Sequence, residues 1–274
     1  MSVPRATAPN VPRTPRPTAL VTGASGGIGE AIARLLAMNG HDLVLVARRE
    51  KALQSLAVEL EGVHGARSLV VAADLVDPAS PRAIARKIED AERTIDVLVN
   101  NAGYALHGAV AENAERAELD MLQVNVMALV HLTKLFLPGM VERERGRILN
   151  VASTAAFAPG PFMAGYYASK AFVLSWSEGL AAETAEHGVT VTALCPGPTE
   201  TGFATTAGVQ KKRLFRKQAV MDAAAVARAG FRGMMSGTRV VIPGMRNKVL
   251  VTGGRFVPRR LQGAVAGYLN GEES

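Results

Sequence analysis

Short apolar runs alternate with helix-period segments along most of the chain. This alternation predicts an α/β fold, a doubly wound, mostly parallel sheet of about seven strands with helices on both faces. Two further features agree. The first apolar run passes straight into a glycine-rich turn and then a helical pattern, and the 274 residues show no internal linker, so one large domain is expected. A composition that is 48% apolar but only 5% aromatic suits an Ala/Val/Leu-rich core that needs no staple.

Taken in order, AlaLeuValThr at 19–22 is the first strand, and the helix after it, 27–38, stops at Asn39 and Gly40. AspLeuValLeuVal at 42–46 precedes a helix over 50–60, and SerLeuValValAla at 68–72 precedes one over 79–92. IleAspValLeuVal at 95–99 leads toward a long helix at about 115–143. ArgIleLeuAsnVal at 147–151 leads into another over 164–187, closed by Gly188. ValThrValThrAlaLeu at 189–194, a helix over 222–235 and ThrArgValValIle at 238–242 complete the set. The expected organisation is a Pro/Arg-rich disordered tail over 1–17, a folded domain over 18–245 and a basic amphipathic extension over 246–274. The tail has no apolar h-region, so it does not read as a signal peptide.

One helix stands apart. Between Leu119 and Leu137 apolar residues occupy nearly every face, which predicts burial by the sheet on one side and by a second subunit on the other. Asp120, Gln123, Asn125, His131 and Lys134 interrupt the run and argue against a membrane span. The single cysteine, Cys195, sits in an apolar strand, where it reads as a packed residue in a reducing compartment. Net charge is +7, and residues 200–274 carry it, with 13 Lys/Arg against 4 Asp/Glu. A solvated basic face, attraction to an anionic substrate carrier and contact with an acidic membrane surface are the three readings of that quarter. Basic runs alone do not point to nucleic acid.

The chemistry begins at ThrGlyAlaSerGlyGlyIleGly, residues 22–29. Gly23, Ser25, Gly26, Gly27, Ile28 and Gly29 form a loop between a strand and a helix start, where backbone amides can meet a dinucleotide pyrophosphate. The second strand ends in ValAlaArgArg at 46–49. A site for a free ribose would place an acid there; Arg48 and Arg49 suit a 2′-phosphate, which favours NADP(H) over NAD(H). Asp74 ends the third strand, placed to receive an adenine amino group, and AsnAsnAlaGly at 100–103 ends the fourth. Asn125 is an amide inside the apolar helix, so it either satisfies backbone groups or holds a water.

Ser153 closes the fifth strand, and Tyr166 and Lys170 open the helix that follows. Residues four apart share a helix face, so phenol and ammonium can serve one site. At an effective dielectric near 20 and about 4 Å, the cation favours a phenolate by roughly 4 kcal/mol before desolvation. The expectation is a phenol drawn down from pKa ~10 toward neutrality. A Tyr-x-x-x-Lys pair by itself also arises by chance in many helices. The loop between, AlaAlaPheAlaProGlyProPheMet at 155–163, is apolar and reads as an apolar substrate wall or a packed lid.

Together these residues resemble the short-chain dehydrogenase/reductase family over residues 18–245: the glycine loop, Asp74 with Leu75, AsnAsnAlaGly, Asn125, Ser153, TyrTyrAlaSerLys at 166–170 and ProGlyProThrGluThr at 196–201, in the family's order. The resemblance implies a Rossmann-like, cytoplasmic subunit, dimeric or tetrameric through its long central helices. It also implies an NADP(H)-dependent oxidoreductase acting on a ketone, aldehyde or secondary alcohol without a metal. By position, Tyr166 would be the general acid/base, Lys170 would lower its pKa and hold the nicotinamide ribose, Ser153 would orient the substrate oxygen and Asn125 would keep a relay water. Asn101, Ala102 and Gly103 would back the cofactor, and Pro196, Gly197, Thr199 and Thr201 would bracket the nicotinamide. Two departures stand out: IleProGlyMetArgAsnLys at 242–248 replaces the Asp-Gly-Gly of acyl-carrier-protein reductases, and an extra segment follows at 249–270. They point to a broad-specificity branch rather than fatty-acid elongation. The rival readings are a peripheral membrane reductase of lipid carbonyls, anchored by that segment, and a non-catalytic cofactor-binding regulator.

Overall fold

The computed structural model describes residues 16–201 and 220–271. The basic cluster at 211–217 and most of the presumed tail lie outside these residues. The chain alternates strand and helix: β1 (Thr18–Thr22), α1 (Gly27–Met38), β2 (Asp42–Ala47), α2 (Glu50–His64), β3 (Ser68–Ala72), α3 (Ser80–Asp90) and β4 (Ile95–Asn100). Then come α4 (Glu115–Leu122), a π-helical turn (Gln123–Ala128), α5 (Leu129–Glu142), β5 (Gly146–Val151), α6 (Ala164–Glu183) and β6 (Val189–Leu194). Two short strands, β7 (Thr199–Glu200) and β8 (Met221–Asp222), precede α7 (Ala223–Met235), β9 (Val240–Val241), α8 (Met245–Gly254) and α9 (Arg259–Asn270).

Seven strands form one parallel sheet in the order β3-β2-β1-β4-β5-β6-β9. Both faces are covered, which is why β2 and β4 are buried along nearly their whole length. On one face Ile32 and Leu36 of α1, Leu53 and Leu60 of α2, and Val226 and Met234 of α7 make a core. On the other, Ile84 and Ile88 of α3, Val124, Leu132 of α5 and Leu180 of α6 make a second. Cys195, just beyond β6, is fully buried. The strand order turns back between β1 and β4, the place where doubly wound sheets open a crevice at their carboxyl edge.

The differences from expectation have local causes. Helix α2 runs to His64 rather than 60, because the left-handed stop is Gly65, at φ 61°. Helix α6 stops at Glu183, and a 3₁₀ turn over Ala185–His187 fills the interval to Gly188, at φ 66°. The last strand pairs only at Val240–Val241, not over 238–242, and the β7-β8 pair was not anticipated. The helix expected over 115–143 is interrupted by the π turn, at the centre of which Asn125 sits. By length and composition Glu115–Glu142 passes for a membrane span, yet Val124, Ala128 and Leu132 lie in the core. Leu119 and Met127 are more than half exposed, so one stripe of this helix stays open on the single chain. At the N-terminal end Arg16, expected in the tail, is tied down: its guanidinium donates to Gly40 O at 3.0 Å and Gly65 O at 2.7 Å.

Candidate active site

The loops leaving the carboxyl ends of β1 to β6 converge on one cleft of about 1060 Å³. The β1 loop supplies the tightest part. Gly23 and Gly27 have φ of 66° and 58°, the left-handed region that glycine occupies without strain. A Cβ at Gly29 would fall against Gly23 O. Gly29 therefore lets α1 close onto the loop instead of lining the cleft. Among the described residues no side chain caps α1, so its first-turn amides are available to an anion, and these residues fit a dinucleotide pyrophosphate. Thr22, which sequence reasoning missed, fastens this loop to the β4 loop: its hydroxyl accepts from Asn101 N at 2.9 Å and Ala102 N at 3.0 Å and donates to Val99 O. The Asn101 amide in turn donates to Thr22 O at 2.9 Å.

Arg48, Arg49, Asp74 and Leu75 line the adjoining wall. Arg49 reaches across to the glycine loop and donates to Ser25 O at 2.7 Å and to Ser25 Oγ at 3.2 Å. Asp74 accepts from Val76 N through one carboxylate oxygen at 3.1 Å. Pro196, Gly197, Thr199 and Thr201 close the far side, with Thr201 against Gly27.

Ser153, Tyr166 and Lys170 meet at the cleft centre. Ser153 is placed by its own turn: its Oγ accepts from Ala155 N at 3.1 Å, capping the 3₁₀ turn Thr154–Phe157. The Tyr166 hydroxyl hydrogen-bonds Ser153. Lys170 Nζ donates to Val151 O at 2.8 Å and lies 5.9 Å from the Tyr166 ring centroid. One expectation is corrected here. Burial pushes the Tyr166 phenol up to about 12, against a lowering pull from Ser153, and pushes Lys170 down to about 8. Desolvation dominates at both groups, because both are buried. The phenol is thus held protonated near neutrality.

Asn125 sits behind this constellation rather than in the cleft. Its Oδ1 accepts from Tyr104 N at 3.0 Å, and its amide nitrogen donates to Tyr104 O at 2.9 Å and Ser169 Oγ at 3.1 Å. The side chain satisfies backbone groups and braces the loop after β4, leaving Gly103 backbone against both Asn125 and Lys170. Except for Gly29 and Asn125, every site residue expected from the sequence lines the cleft.

The model of the short chain dehydrogenase family matches residues 17–212. The chain belongs to the short-chain dehydrogenase family. Among its relatives, a protein named as a ketoacyl reductase of the granaticin polyketide synthase from Streptomyces violaceoruber is 41% identical over 207 residues, 74% of this chain and 76% of that protein. A short-chain dehydrogenase from Sphingobium yanoikuyae, solved in complex with NADPH, superposes with a TM-score of 0.79 at 34% identity, covering 87% of this chain and 93% of that one. A bulky-bulky ketone specific alcohol dehydrogenase from Comamonas testosteroni gives 0.75 at 30% identity, over 88% and 93% of the two chains. As a short-chain dehydrogenase, the chain is a Rossmann-like oxidoreductase with a nicotinamide cofactor.

The family pattern did not disclose the rest of the cleft wall. Helices α8 and α9, the segment read as a basic extension, fold over the opening and line it with Leu250, Val257, Val265, Ala266 and Leu269. Asn247 of α8 fits against Gly197, where a Cβ would approach it to 2.6 Å. The signal was the apolar residues spaced among arginines at 249–270, which composition alone cannot assign to a cleft or to a surface. Phe256, 86% exposed, belongs to the outward part.

Proposed function

We propose that the protein is an NADP(H)-dependent reductase of apolar ketones, interconverting them with secondary alcohols, in the class acting on CH–OH/C=O. The observation that carries this reading is the meeting of Ser153, Tyr166 and Lys170 at the centre of a cleft whose other end is the glycine loop. A bound nicotinamide supplies the hydride in the reducing direction. Tyr166 gives its proton to the carbonyl oxygen, Ser153 donates a hydrogen bond to that oxygen, and Lys170 holds positive charge beside both. Preference for the 2′-phosphorylated cofactor rests on Arg48 and Arg49, which stand after β2 where an acid would otherwise receive a ribose hydroxyl. The NADPH complex of the Sphingobium relative agrees with it.

An apolar substrate follows from the wall made by Met163 and the α8–α9 residues. The names of the granaticin and Comamonas relatives both describe ketone chemistry. The open stripe at Leu119 and Met127, together with exposed Phe172 on α6, favours a homodimer or homotetramer. Burial of Val251, Ala266 and Asn270 against the domain favours a lid over the membrane-anchored alternative, which has the exposed Phe256 and Leu261 on its side.

The decisive experiment is a panel of small and bulky ketones and alcohols, followed at the reduced nicotinamide absorbance with each cofactor. Reduction of bulky apolar ketones with NADPH is the expected result. Turnover only with NADH, or only of charged substrates, overturns the corresponding part.

A further inference from the structure

We infer that Asn270 latches α9 over the substrate end of the cleft, making it a positioning and specificity-determining residue. It is the last residue of the last helix and yet 1% exposed. Its side-chain nitrogen donates to Pro161 O at 2.9 Å, its Oδ1 accepts from the Tyr167 hydroxyl at 3.3 Å, and its own main-chain oxygen bonds His107 Nε2 at 2.9 Å. One residue thereby ties the loop after β4, the apolar loop after β5 and helix α6. These are three walls of the same cleft. A terminal asparagine left in water would hold none of these bonds, and a buried amide needs them all.

The packing beneath the latch repeats at helix spacing. Gly263, Ala266, Gly267 and Asn270 fall at i, i+3, i+4 and i+7, so they share one face of α9. A Cβ at Gly263 would touch Pro159 at 3.4 Å, and one at Gly267 would touch Pro161 at 3.4 Å, which puts this face at van der Waals distance from the loop. The loop continues the chain of contact inward. A Cβ at Gly160 would run into the Tyr167 ring, and Tyr167 stands edge-on to Tyr166 with centroids 6.2 Å apart. Through this series the latch fixes the apolar wall beside the proton donor without touching the reacting atoms. It acts on substrates whose apolar body reaches α9. On this inference a small ketone would not reach α9, and nucleotide binding at the glycine-loop end would be unaffected.

The inference rests on the carbonyl-reductase reading, so its test has an arm independent of turnover. In Asn270→Leu, KM for a bulky apolar ketone rises about 10-fold, the scale of two lost net hydrogen bonds, while kcat, KM for a small ketone and the dissociation constant for NADPH change less than about 2-fold. Tyr167→Phe, which removes only the bond to Oδ1, gives an intermediate rise. In the protein without ligands, amide hydrogen exchange across 259–270 accelerates in both variants while β1 and β4 stay protected. A uniform KM change over all ketones, or unaltered α9 exchange, overturns the latch. If Asn270→Leu fails to fold, Tyr167→Phe decides by the same two readouts. If the wild-type enzyme reduces no ketone at all, the functional reading has failed and exchange alone decides the latch.

Discussion

The ammonium of Lys170 donates to the main-chain oxygen of Val151 at 2.8 Å, which pins a buried positive charge between the end of β5 and the ring of Tyr166. With its pKa lowered by burial to about 8, this lysine keeps its charge near neutrality and loses it in mild alkali. Tyr166, raised to about 12, stays protonated throughout that range. The kcat/KM for ketone reduction should therefore fall as pH rises through about 8. Lys170→Arg, which cannot deprotonate, moves that limb to higher pH; a wild-type profile flat to pH ~10 would contradict the assignment.

The same shift has a stability consequence. Between about 8 and the ordinary lysine value of 10.5, the unfolded chain holds more proton at this position than the native one, so native stability gains from rising pH across that window. Below it both forms are charged and the burial penalty is constant. Melting wild type and Lys170→Met from pH 7 to 10 should show the variant's advantage shrinking as pH climbs.

Tyr166→Phe removes the hydroxyl proposed as the proton donor and leaves the ring packed beside Tyr167. The expected loss of turnover is about 10²–10⁴-fold, with NADPH affinity within a few fold of wild type. Stopped-flow binding and steady-state absorbance separate the two effects. Retained turnover would remove the phenol from the chemistry.

Cofactor choice should follow the two arginines. Replacing Arg48 and Arg49 with alanine raises KM for NADPH by about 10-fold or more and leaves KM for NADH nearly unchanged, since a guanidinium engages the extra phosphate. Arg49 also braces Ser25, so the single variants should be unequal. Parallel titrations with both nucleotides provide the check.

At Gly29 an added methyl has nowhere to go, because the obstacle is the Gly23 backbone oxygen. Gly29→Ala should destabilise the fold by about 1–3 kcal/mol and weaken nucleotide binding more than Gly40→Ala weakens it. Gly40, unlike Gly29, is at positive φ and has open space around it. Thermal melts with and without NADPH distinguish crowding from backbone strain.

The strands, most helix starts and the Ser153–Tyr166–Lys170 set were legible in the sequence because each depends on spacing within one or two turns or on a continuous apolar run. Three things were not. Electrostatics at Tyr166 followed burial, a property of the surrounding packing that a four-residue interval does not contain. The π turn at Gln123–Ala128 has no marker in composition, and it is the buried Asn125 contact with Tyr104 that accompanies it. The role of α9 rests on Asn270 meeting His107, 163 residues earlier. Its apolar and basic pattern fits a lid and a surface anchor equally well until those contacts are seen.

Cys195, the single thiol, is enclosed beyond β6, and burial raises its pKa to about 12. Alkylating reagents that attack thiolates are thus shut out of the intact molecule twice, by access and by ionisation. Labelling at this sulfur becomes a built-in clock for breathing of the sheet beneath Ser153. A ligand that tightens the cleft should slow that clock, with no probe having to be engineered into the chain.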